Sequence, residues 1–393
     1  MLFQTFDDKQ HCFQVYRDAS FHDNLTEDCT ATWSYAPYLK DKNIEYASLY
    51  VGGKSLFGVC PIYWQGELQE AQGKINAVLK SVKTTGISLN ETCLYELIPE
   101  HLLVNIAVIK NKICEYVFRE YEKPANYEHM LKVAKMIADI KHRLLSLDLN
   151  KILRLSVQDR NTYKLLKRNN NYIDYDQFKA VTGRLTTKPL SFPIMTIAKK
   201  YRNALTPTND WLFELDFNAC ELRTMLALLD QTQPLEDLHD WNLKHVFKDA
   251  KDRENAKKRV FAWLYNPKRK DDEISRIYDR KKLKSLYFKE NYVITPYGRN
   301  IECDEDHAIS YIVQSTAADL LFEQMYKIWE FLKDKKSFIK FCNHDSIMID
   351  LHEDDQYEVN EIRQLFGQTR FGDFKVNCLG GKNWAEMRKL NIK

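Results

Sequence analysis

Two apolar runs of strand length enclose a short polar stretch in FCNHDSIMIDL, residues 341–351. Such runs on either side of a polar turn predict a β-hairpin with buried strands. The hairpin would hold Asp345 and its neighbour His344 at a fixed position beside a core. One interpretation is that Asp345 only caps its own turn, which is common for Asp. The other is that a rigid hairpin presents a functional carboxylate.

The composition of the chain is that of a soluble globular protein. It has 393 residues, 44% apolar and 29% charged, enough for two or three domains. No run of about 18 apolar residues occurs, so we predict no membrane association. The N-terminus does not resemble a secretory signal, and we expect a cytoplasmic protein, in the host cytoplasm if viral. Nine scattered cysteines without a C-x-x-C pair predict a reducing compartment, with neither a disulfide framework nor a zinc knuckle.

Positive charge is concentrated in the middle of the chain. Residues 101–210 carry 20 Lys and Arg against 10 Asp and Glu, a balance of +10, although the whole chain carries only +3. The basic residues alternate with Tyr and Asn, as on a surface that follows a phosphate backbone. Lys164, Lys167 and Arg168 are the candidate contacts. A solvated helix face would explain the same pattern.

The coarse pattern of elements predicts an α+β, multi-lobed architecture. We predict strands at 47–51 and 57–63, helices around 102–118 and 130–145, a buried strand at 211–217, and charged helices over 236–292. The last long helix is predicted to begin at Ser315 or Thr316, because Thr316 followed by Asp319 makes an N-terminal capping pattern.

Asp216 lies at the end of the predicted strand WLFELDF, and a helix begins a few residues later. If the strand neighbours the hairpin, Asp216 and Asp345 form a two-carboxylate site. Such a site can hold two Mg²⁺ ions and stabilise both oxygens of a phosphoryl transfer. Glu221 falls in the first turn of the following helix, where a negative charge is favourable without any further function.

Four residues recur at every fourth position in RENAKKRVFAWLY: Arg253, Lys257, Phe261 and Tyr265. Four residues turn a helix through about 400°, so the row stays on one face. Two cations on that face can bind a triphosphate, and two rings can stack on a base and sugar. His239 is a further candidate phosphate donor, or alternatively an ordinary surface histidine.

Five stretches resemble motifs in the polymerase region of a family A DNA polymerase of phage type, and they occur in the same order as in that family. They cover roughly residues 180–350: VTGRL at 181–185, DFNACELR at 216–223, RENAKKRVFAWLY at 253–265, QSTAAD at 314–319 and NHDS at 343–346. Among the departures from the family pattern, Ser346 follows the His-Asp pair where the family usually has a Glu.

The resemblance implies a role for each matching residue. Two Mg²⁺ ions, for which Mn²⁺ is the expected substitute, would be held by Asp216, Asp345 and the backbone carbonyl of Phe217. The nucleotide would be bound by Arg253, Lys257, Phe261, Tyr265, Glu221 and His239, with Lys257 also donating a proton to pyrophosphate and Glu221 excluding a ribose 2′-hydroxyl. The DNA would be contacted by Arg184, Gln314 and Arg299.

The resemblance also implies a right-hand architecture. A palm with an antiparallel sheet would span 181–235 and 291–393, helical fingers 236–290 and a helical thumb 96–180. Residues 1–95 would be a small non-catalytic region, interpreted as a nuclease-domain remnant. No Asp-x-Glu pair occurs in residues 1–180, so no proofreading nuclease is expected.

The implied partners are primer–template DNA and deoxynucleoside triphosphates, with a processivity factor or replicative helicase as open further partners. Two other functions stay open at this point. One is a single-subunit RNA polymerase, and the other is a catalytically inactive accessory protein that binds nucleic acid.

Overall fold

The computed structural model describes residues 1–40, 42–89, 91–156, 171–247 and 249–392. The candidate DNA contacts Lys164, Lys167 and Arg168 lie outside these described residues. The chain divides into two compact units, Met1–His142 and Arg143–Lys393. The expected boundary between residues 95 and 96 therefore falls inside the first unit.

The first unit combines short strands with longer helices. Its strands are β1 (Gln4–Thr5), β2 (Val15–Arg17), β3 (Ser20–His22), β4 (Ala31–Thr32) and β5 (Glu45–Tyr46). Its helices are α1 (Ala47–Tyr50), α2 (Leu56–Val59), α3 (Ile62–Thr84), α4 (Leu94–Leu97), α5 (Glu100–Glu120) and α6 (Tyr127–Lys141). Strands β1, β2 and β3 form an antiparallel sheet, and β4 pairs with β5 in parallel.

The strands predicted at 47–51 and 57–63 are wrong, because these segments form α1, α2 and the start of α3. Helix α3 carries apolar residues at helical spacing, namely Trp64, Leu68, Ala71 and Ile75, a helical signal that the strand prediction over its first residues does not use. It is stabilised by packing against α5, whose buried Ile109 and Ile113 belong to the same core cluster. Helices α1 and α2 have only four residues each, too few to show a helical period, and they are stabilised by packing in this cluster.

One disulfide corrects the expectation that the cysteines stay unpaired. Cys12 and Cys93 are joined, with Cα atoms 5.4 Å apart although 81 residues separate them in sequence. Seven other cysteines are free. Sequence spacing does not reveal this pair, because the two segments meet only in the folded first unit.

The second unit contains the largest sheet. Its strands are β6 (Ser146–Leu147), β7 (Tyr175–Asp176), β8 (Thr186–Thr187), β9 (Leu205–Thr206), β10 (Trp211–Phe217), β11 (Phe288–Lys289), β12 (Tyr292–Ile294), β13 (Asn300–Glu302), β14 (Phe338–Asn343), β15 (Ser346–Leu351), β16 (Gln368–Thr369), β17 (Gly372–Asp373), β18 (Val376–Gly381) and β19 (Arg388–Lys389). Its helices are α7 (Leu149–Ser156), α8 (Cys220–Leu228), α9 (Leu238–His245), α10 (Arg253–Tyr265), α11 (Asp272–Ile277), α12 (Arg280–Tyr287), α13 (Ala308–Phe331) and α14 (Val359–Gly367). No helix in the described parts of the chain has the length and apolar character needed to cross a membrane.

Five antiparallel strands form this central sheet, in the order β14, β15, β10, β18, β19. The hairpin and the antiparallel sheet expected from the sequence are both confirmed. The two strands extend into the polar stretch, with Asn343 ending β14 and Ser346 beginning β15, so the turn is only His344 and Asp345. His344 adopts φ 54°, a left-handed conformation that tightens the reversal.

The predicted start of the last long helix is wrong. Helix α13 begins at Ala308, and Thr316 is fully buried within it. Asp319 does not complete a capping pattern but accepts two hydrogen bonds from Arg299, at 3.0 and 2.6 Å. Its carboxylate is 0% exposed, and a buried charge requires such a partner.

Candidate active site

Two carboxylates meet at one end of the central sheet. Strand β10 pairs with β15 so that Asp216 lies opposite Ser346, and Asp345 is the next residue in the turn. The side-chain amide of Asn377, on the other neighbouring strand β18, donates to Asp216 Oδ2 at 3.2 Å. The Asp345 side chain is 39% exposed, with the Arg184 guanidinium 4.0 Å from Oδ1.

The environment of Asp216 disfavours its charge. Burial raises the pKa of Asp216 to about 6, the Asn377 hydrogen bond opposes the rise, and the charges of Asp345 and Glu214 add to it. A cation bound between Asp216 and Asp345 would offset both the desolvation and the repulsion. Perturbed carboxylates of this kind are typical of functional sites.

The donor chemistry of the pair fits Mg²⁺ or Mn²⁺. Both are hard cations that prefer oxygen ligands, and Mg²⁺ typically uses one or two carboxylates together with water and phosphate oxygens. Within the described residues, Asp216 Oδ1 has no hydrogen-bond donor, and Asp345 faces solvent. Asp216 and Asp345 are the residues that would hold the ions, and Phe217, the expected carbonyl ligand, directly follows Asp216. The Phe217 ring stacks on Phe366 with centroids 4.1 Å apart, which fixes this end of β10.

The row on helix α10 is confirmed as one face of a single helix. Ala256, Val260, Trp263 and Leu264 are buried, whereas none of the four residues of the row is buried. At the C-terminal end of the row, the Phe261 and Tyr265 rings are parallel, with centroids 6.0 Å apart and 8° between their planes. The face therefore carries the predicted order of two cations followed by two aromatic rings.

The two cations of the row have different surroundings. Arg253 donates to the carboxylate of Asp237 at 2.8 Å and approaches Asp240 at 3.6 Å. Lys257 forms no ion pair with the described residues. Its charge opposes the rise of the Asp216 pKa, so the Lys257 amino group lies close enough to act on the carboxylate pair. The amino group of Lys257 is therefore available to an anionic ligand beside Asp216.

Glu221 joins helix α8 to helix α10. Its carboxylate is 7% exposed and accepts hydrogen bonds from the Tyr265 hydroxyl and from the Arg184 guanidinium. Burial raises the pKa of Glu221, and these two donors oppose the rise. Glu221 thus does more than favour the start of its helix, because its side chain links the aromatic end of α10 to the segment that holds Arg184.

The remaining expected DNA contacts lie near this link. Gln314, on α13, lies near the Tyr265 side chain. Arg184 follows Gly183, whose φ is 76° and at which a Cβ would lie 2.4 Å from Arg299 Cζ. Arg299 is itself committed to Asp319 and only 16% exposed, so its observed contact is structural. No phosphate contact by Arg184, Gln314 or Arg299 is tested by the structure, and these roles stay predictions.

His239 is buried rather than an ordinary surface histidine. It lies in the first turn of α9, 4% exposed, and its Nδ1 has no hydrogen-bond partner among the described residues. Its ring is tilted against Phe261, with centroids 5.9 Å apart. Burial, assisted by the charge of Arg253, lowers the pKa of His239 to about 4, so the imidazole is neutral at physiological pH.

This pKa predicts a loss of stability in acid. Because the folded-state pKa of about 4 lies below the unfolded value of about 6.5, the unfolded chain binds more protons between these pH values. Lowering the pH from 7 to 5 should therefore cost about 2 kcal/mol of unfolding free energy through His239. Urea unfolding of wild type and His239→Gln at both pH values measures this, and the variant should lose about 2 kcal/mol less.

His245 provides the control, because it lies on the same helix with 54% of its side chain exposed. His245→Gln should retain the acid sensitivity of wild type. An identical pH dependence in His239→Gln and wild type would contradict the lowered pKa.

A polar network behind Arg253 was not anticipated from the sequence. Asp237 caps α9 by accepting from the backbone N–H groups of His239 and Asp240, and it also accepts from the Asn218 amide at 2.7 Å. Burial opposes ionisation of Asp237, but the hydrogen bonds from Arg253 and its other donors lower its pKa. Asp before a helix is a recognisable capping signal, although nothing in the sequence reveals that the same carboxylate also binds Arg253.

Arg223 extends the network to the end of β10. Its side chain is fully buried and donates to the backbone carbonyls of Asn218, Pro234 and Glu236, at 2.8 Å each. It therefore fixes the loop that carries Asp237. An Arg between apolar residues, as in Leu222-Arg223 before the run from Met225 to Leu228, is a signal that could have identified this network from the sequence.

Comparison with known proteins defines the fold. No family model and no curated protein sequence matches the chain. Among solved structures, it is similar to the POL domain of Pol1 from M. smegmatis in complex with DNA primer-template and dNTP, with a TM-score of 0.64 over 88% of this chain and 83% of that one. The fold is similar to a polymerase domain. The two sequences are only 13% identical, so the comparison shows a similarity of fold alone, a mixed α and β fold with antiparallel sheets.

Proposed function

We propose that the protein is a DNA polymerase that adds deoxynucleotides to a primer 3′ end under the direction of a template. The observation that carries the proposal is the pairing of β10 with β15, which brings Asp216 and Asp345 together beside the charge of Lys257. Two carboxylates and a nearby cation suit phosphoryl transfer, in which catalysis is mostly positioning and charge stabilisation. The similar M. smegmatis domain, described with DNA primer-template and dNTP, supports the same substrate class.

The chemistry assigned to the carboxylates depends on divalent cations. Asp216, Asp345 and the carbonyl of Phe217 would hold two Mg²⁺ or Mn²⁺ ions, which when bound stabilise the attacking and leaving oxygens of the displacement. Asn377 would keep the Asp216 carboxylate oriented while its other oxygen binds a cation. Lys257 would carry the proton that neutralises the departing pyrophosphate.

The exposed face of α10 would bind the incoming nucleotide. Arg253 and Lys257 would contact the triphosphate, and Arg253 would exchange Asp237 for phosphate oxygens as the nucleotide binds. The neutral imidazole of His239 would donate one hydrogen bond to a phosphate, while Phe261 and Tyr265 stack on the base and sugar. Glu221, held by Tyr265, would exclude a 2′-hydroxyl.

We further propose a right-hand arrangement for these parts. The central sheet would be the palm, and helices α9 to α12 the fingers. Helix α5 lies in the expected thumb but shares a core cluster with α3, so we extend the proposed thumb back to α3. Primer–template DNA would contact Arg184 and Gln314, and the basic segment 101–210 remains a candidate for phosphate contacts.

Two alternatives are separable by experiment. Primer extension with Mg²⁺ should proceed with deoxynucleotides and far more slowly with ribonucleotides, whereas a single-subunit RNA polymerase would prefer ribonucleotides. An inactive accessory protein would bind primer–template DNA without extending it under any nucleotide condition. Intact Asp216, Asp345 and Lys257 favour the active enzyme.

The proposed enzyme lacks proofreading. Residues 1–180 contain no Asp-x-Glu pair, which a metal-dependent 3′ exonuclease of this family type would require. A 5′-labelled primer–template incubated with the purified protein and Mg²⁺, without nucleotides, should keep its 3′ end. Stepwise Mg²⁺-dependent shortening that persists in the polymerase-inactivated Asp345→Asn protein would contradict this prediction.

A further inference from the structure

Ser346 occupies the position that follows the His-Asp pair, and its hydroxyl has a carboxylate acceptor. Ser346 Oγ lies 2.9 Å from Glu214 Oε1 and 3.1 Å from the backbone carbonyl of Asn343. A hydroxyl has one proton, and a charged carboxylate is the stronger acceptor. The hydrogen bond to Glu214 therefore crosses from β15 to the neighbouring strand β10.

Glu214 lies on the same face of the sheet as Asp216. The two residues are two positions apart in β10, and side chains at such positions point to the same face. Ser346 is directly opposite Asp216 in the register, so all three side chains project from one face at the end of the sheet. The charge of Glu214 also acts on Asp216.

We infer that Glu214 supplies a third carboxylate to the Asp216–Asp345 site, and that Ser346 fixes its orientation. The inference rests on the polymerase function proposed above. Ser346, which directly follows Asp345, and Glu214 on the adjacent strand form a hydroxyl–carboxylate pair beside Asp216.

Glu214 is a positioning residue rather than a direct ligand in the observed geometry. In the described part of the chain, oxygen atoms of Glu214, Asp216 and Asp345 do not all lie within 4.8 Å of one another. Glu214 would act on bound cations through its charge and through the orientation of neighbouring groups. Outer-shell partners of this kind change metal affinity by about 10- to 100-fold when removed.

A purely structural role is the competing explanation. The charge of Arg202 also acts on Glu214, and Arg202 stacks on the Trp384 ring at 3.9 Å. Such a role would require only a hydrogen-bond acceptor at position 214. The negative charge is what separates the two explanations.

The test uses variants that remove charge and hydrogen bond separately. Glu214→Gln keeps the shape and an acceptor oxygen but removes the charge, and Ser346→Ala removes the hydroxyl but keeps the charge. We expect Glu214→Gln to weaken Mn²⁺ binding, measured by titration calorimetry on the metal-free protein, by about 10-fold or more. Single-turnover primer extension should slow by a similar factor, and Ser346→Ala should have a smaller effect on both. Glu302→Gln, which changes an exposed residue on β13 of another sheet, should behave as wild type.

Exchanging the two residues is the stronger test. Glu214→Ser alone should lose Mn²⁺ affinity, and the double variant Glu214→Ser with Ser346→Glu should recover to within about threefold of wild type. A double variant no better than Glu214→Ser, with the melting temperature of wild type, would overturn the inference. If the double variant does not fold, the Glu214→Gln variant alone tests the inference. Unchanged Mn²⁺ affinity and an unchanged extension rate in Glu214→Gln would then overturn the inference.

These readouts also separate the inference from the proposed function. Wild-type extension with a fully active Glu214→Gln variant would retain the polymerase and refute the role of Glu214. Loss of Mn²⁺ affinity in Glu214→Gln without any wild-type extension would support the third carboxylate and refute the polymerase.

Discussion

Asp345→Asn should abolish primer extension while leaving primer–template binding nearly unchanged. The substitution keeps the size of the side chain and removes one of the two charges that would hold the cations. Loss of metal-ion stabilisation amounts to several kcal/mol, or about 10³-fold or more in rate. Binding should persist because Arg184, the nearest cation, keeps its contact with Glu221. Extension rate and fluorescence anisotropy of labelled primer–template measure the two effects.

Asp334→Asn is the matched control for Asp345→Asn. Asp334 is exposed in the loop before β14, so the same chemical change there should alter neither extension nor binding. Extension by Asp345→Asn within tenfold of wild type would rule out the two-carboxylate assignment.

Glu221→Ala should relax discrimination against ribonucleotides. The Glu221 carboxylate is buried and fixed by Tyr265 and Arg184, so a 2′-hydroxyl beside it must displace the Glu or lose its own hydrogen bonds. An unsatisfied buried polar group costs about 1–3 kcal/mol, which corresponds to about 5- to 150-fold in kcat/KM. The ratio of kcat/KM for a matched deoxy and ribo pair should fall by that factor in the variant.

The selectivity ratio separates this role from a structural one. Removing Glu221 also leaves two donors without a partner and should destabilise the fold, but a ratio of two substrates does not depend on the amount of folded enzyme. Glu221→Gln preserves the volume of the side chain and should stay close to the wild-type ratio. A ratio within twofold of wild type in Glu221→Ala would leave Glu221 as a residue that only supports helix packing.

The sequence predicted the parts of the site that depend on local periodicity. Apolar residues dominate strands β10 and β15, which makes both strands recognisable in the sequence. Asp216 lies near the end of β10 and Asp345 in the turn before β15, so both positions follow from the strand predictions. The row on α10 follows from helical geometry alone, because residues four apart share a face. These elements can be recognised without knowledge of the rest of the fold.

The parts that the sequence did not predict depend on contacts between distant segments. Helices α1 and α2 are too short to show a helical period, and their residues Ala47 and Val59 pack in one core cluster with Ile109 of α5. Thr316 and Asp319 match a capping pattern, but Asp319 instead pairs with Arg299, 20 residues away. The Ser346–Glu214 hydrogen bond likewise depends on the strand register.

Template-directed incorporation tests the central claim most directly. Four primer–templates that differ only in the templating base are each incubated with the protein, Mg²⁺ and one deoxynucleotide at a time. We predict that every template directs addition of its complementary deoxynucleotide, and that Asp345→Asn adds none. Addition that ignores the templating base, or no addition by wild-type protein that binds the primer–template, would contradict the assignment of this chain as a DNA polymerase.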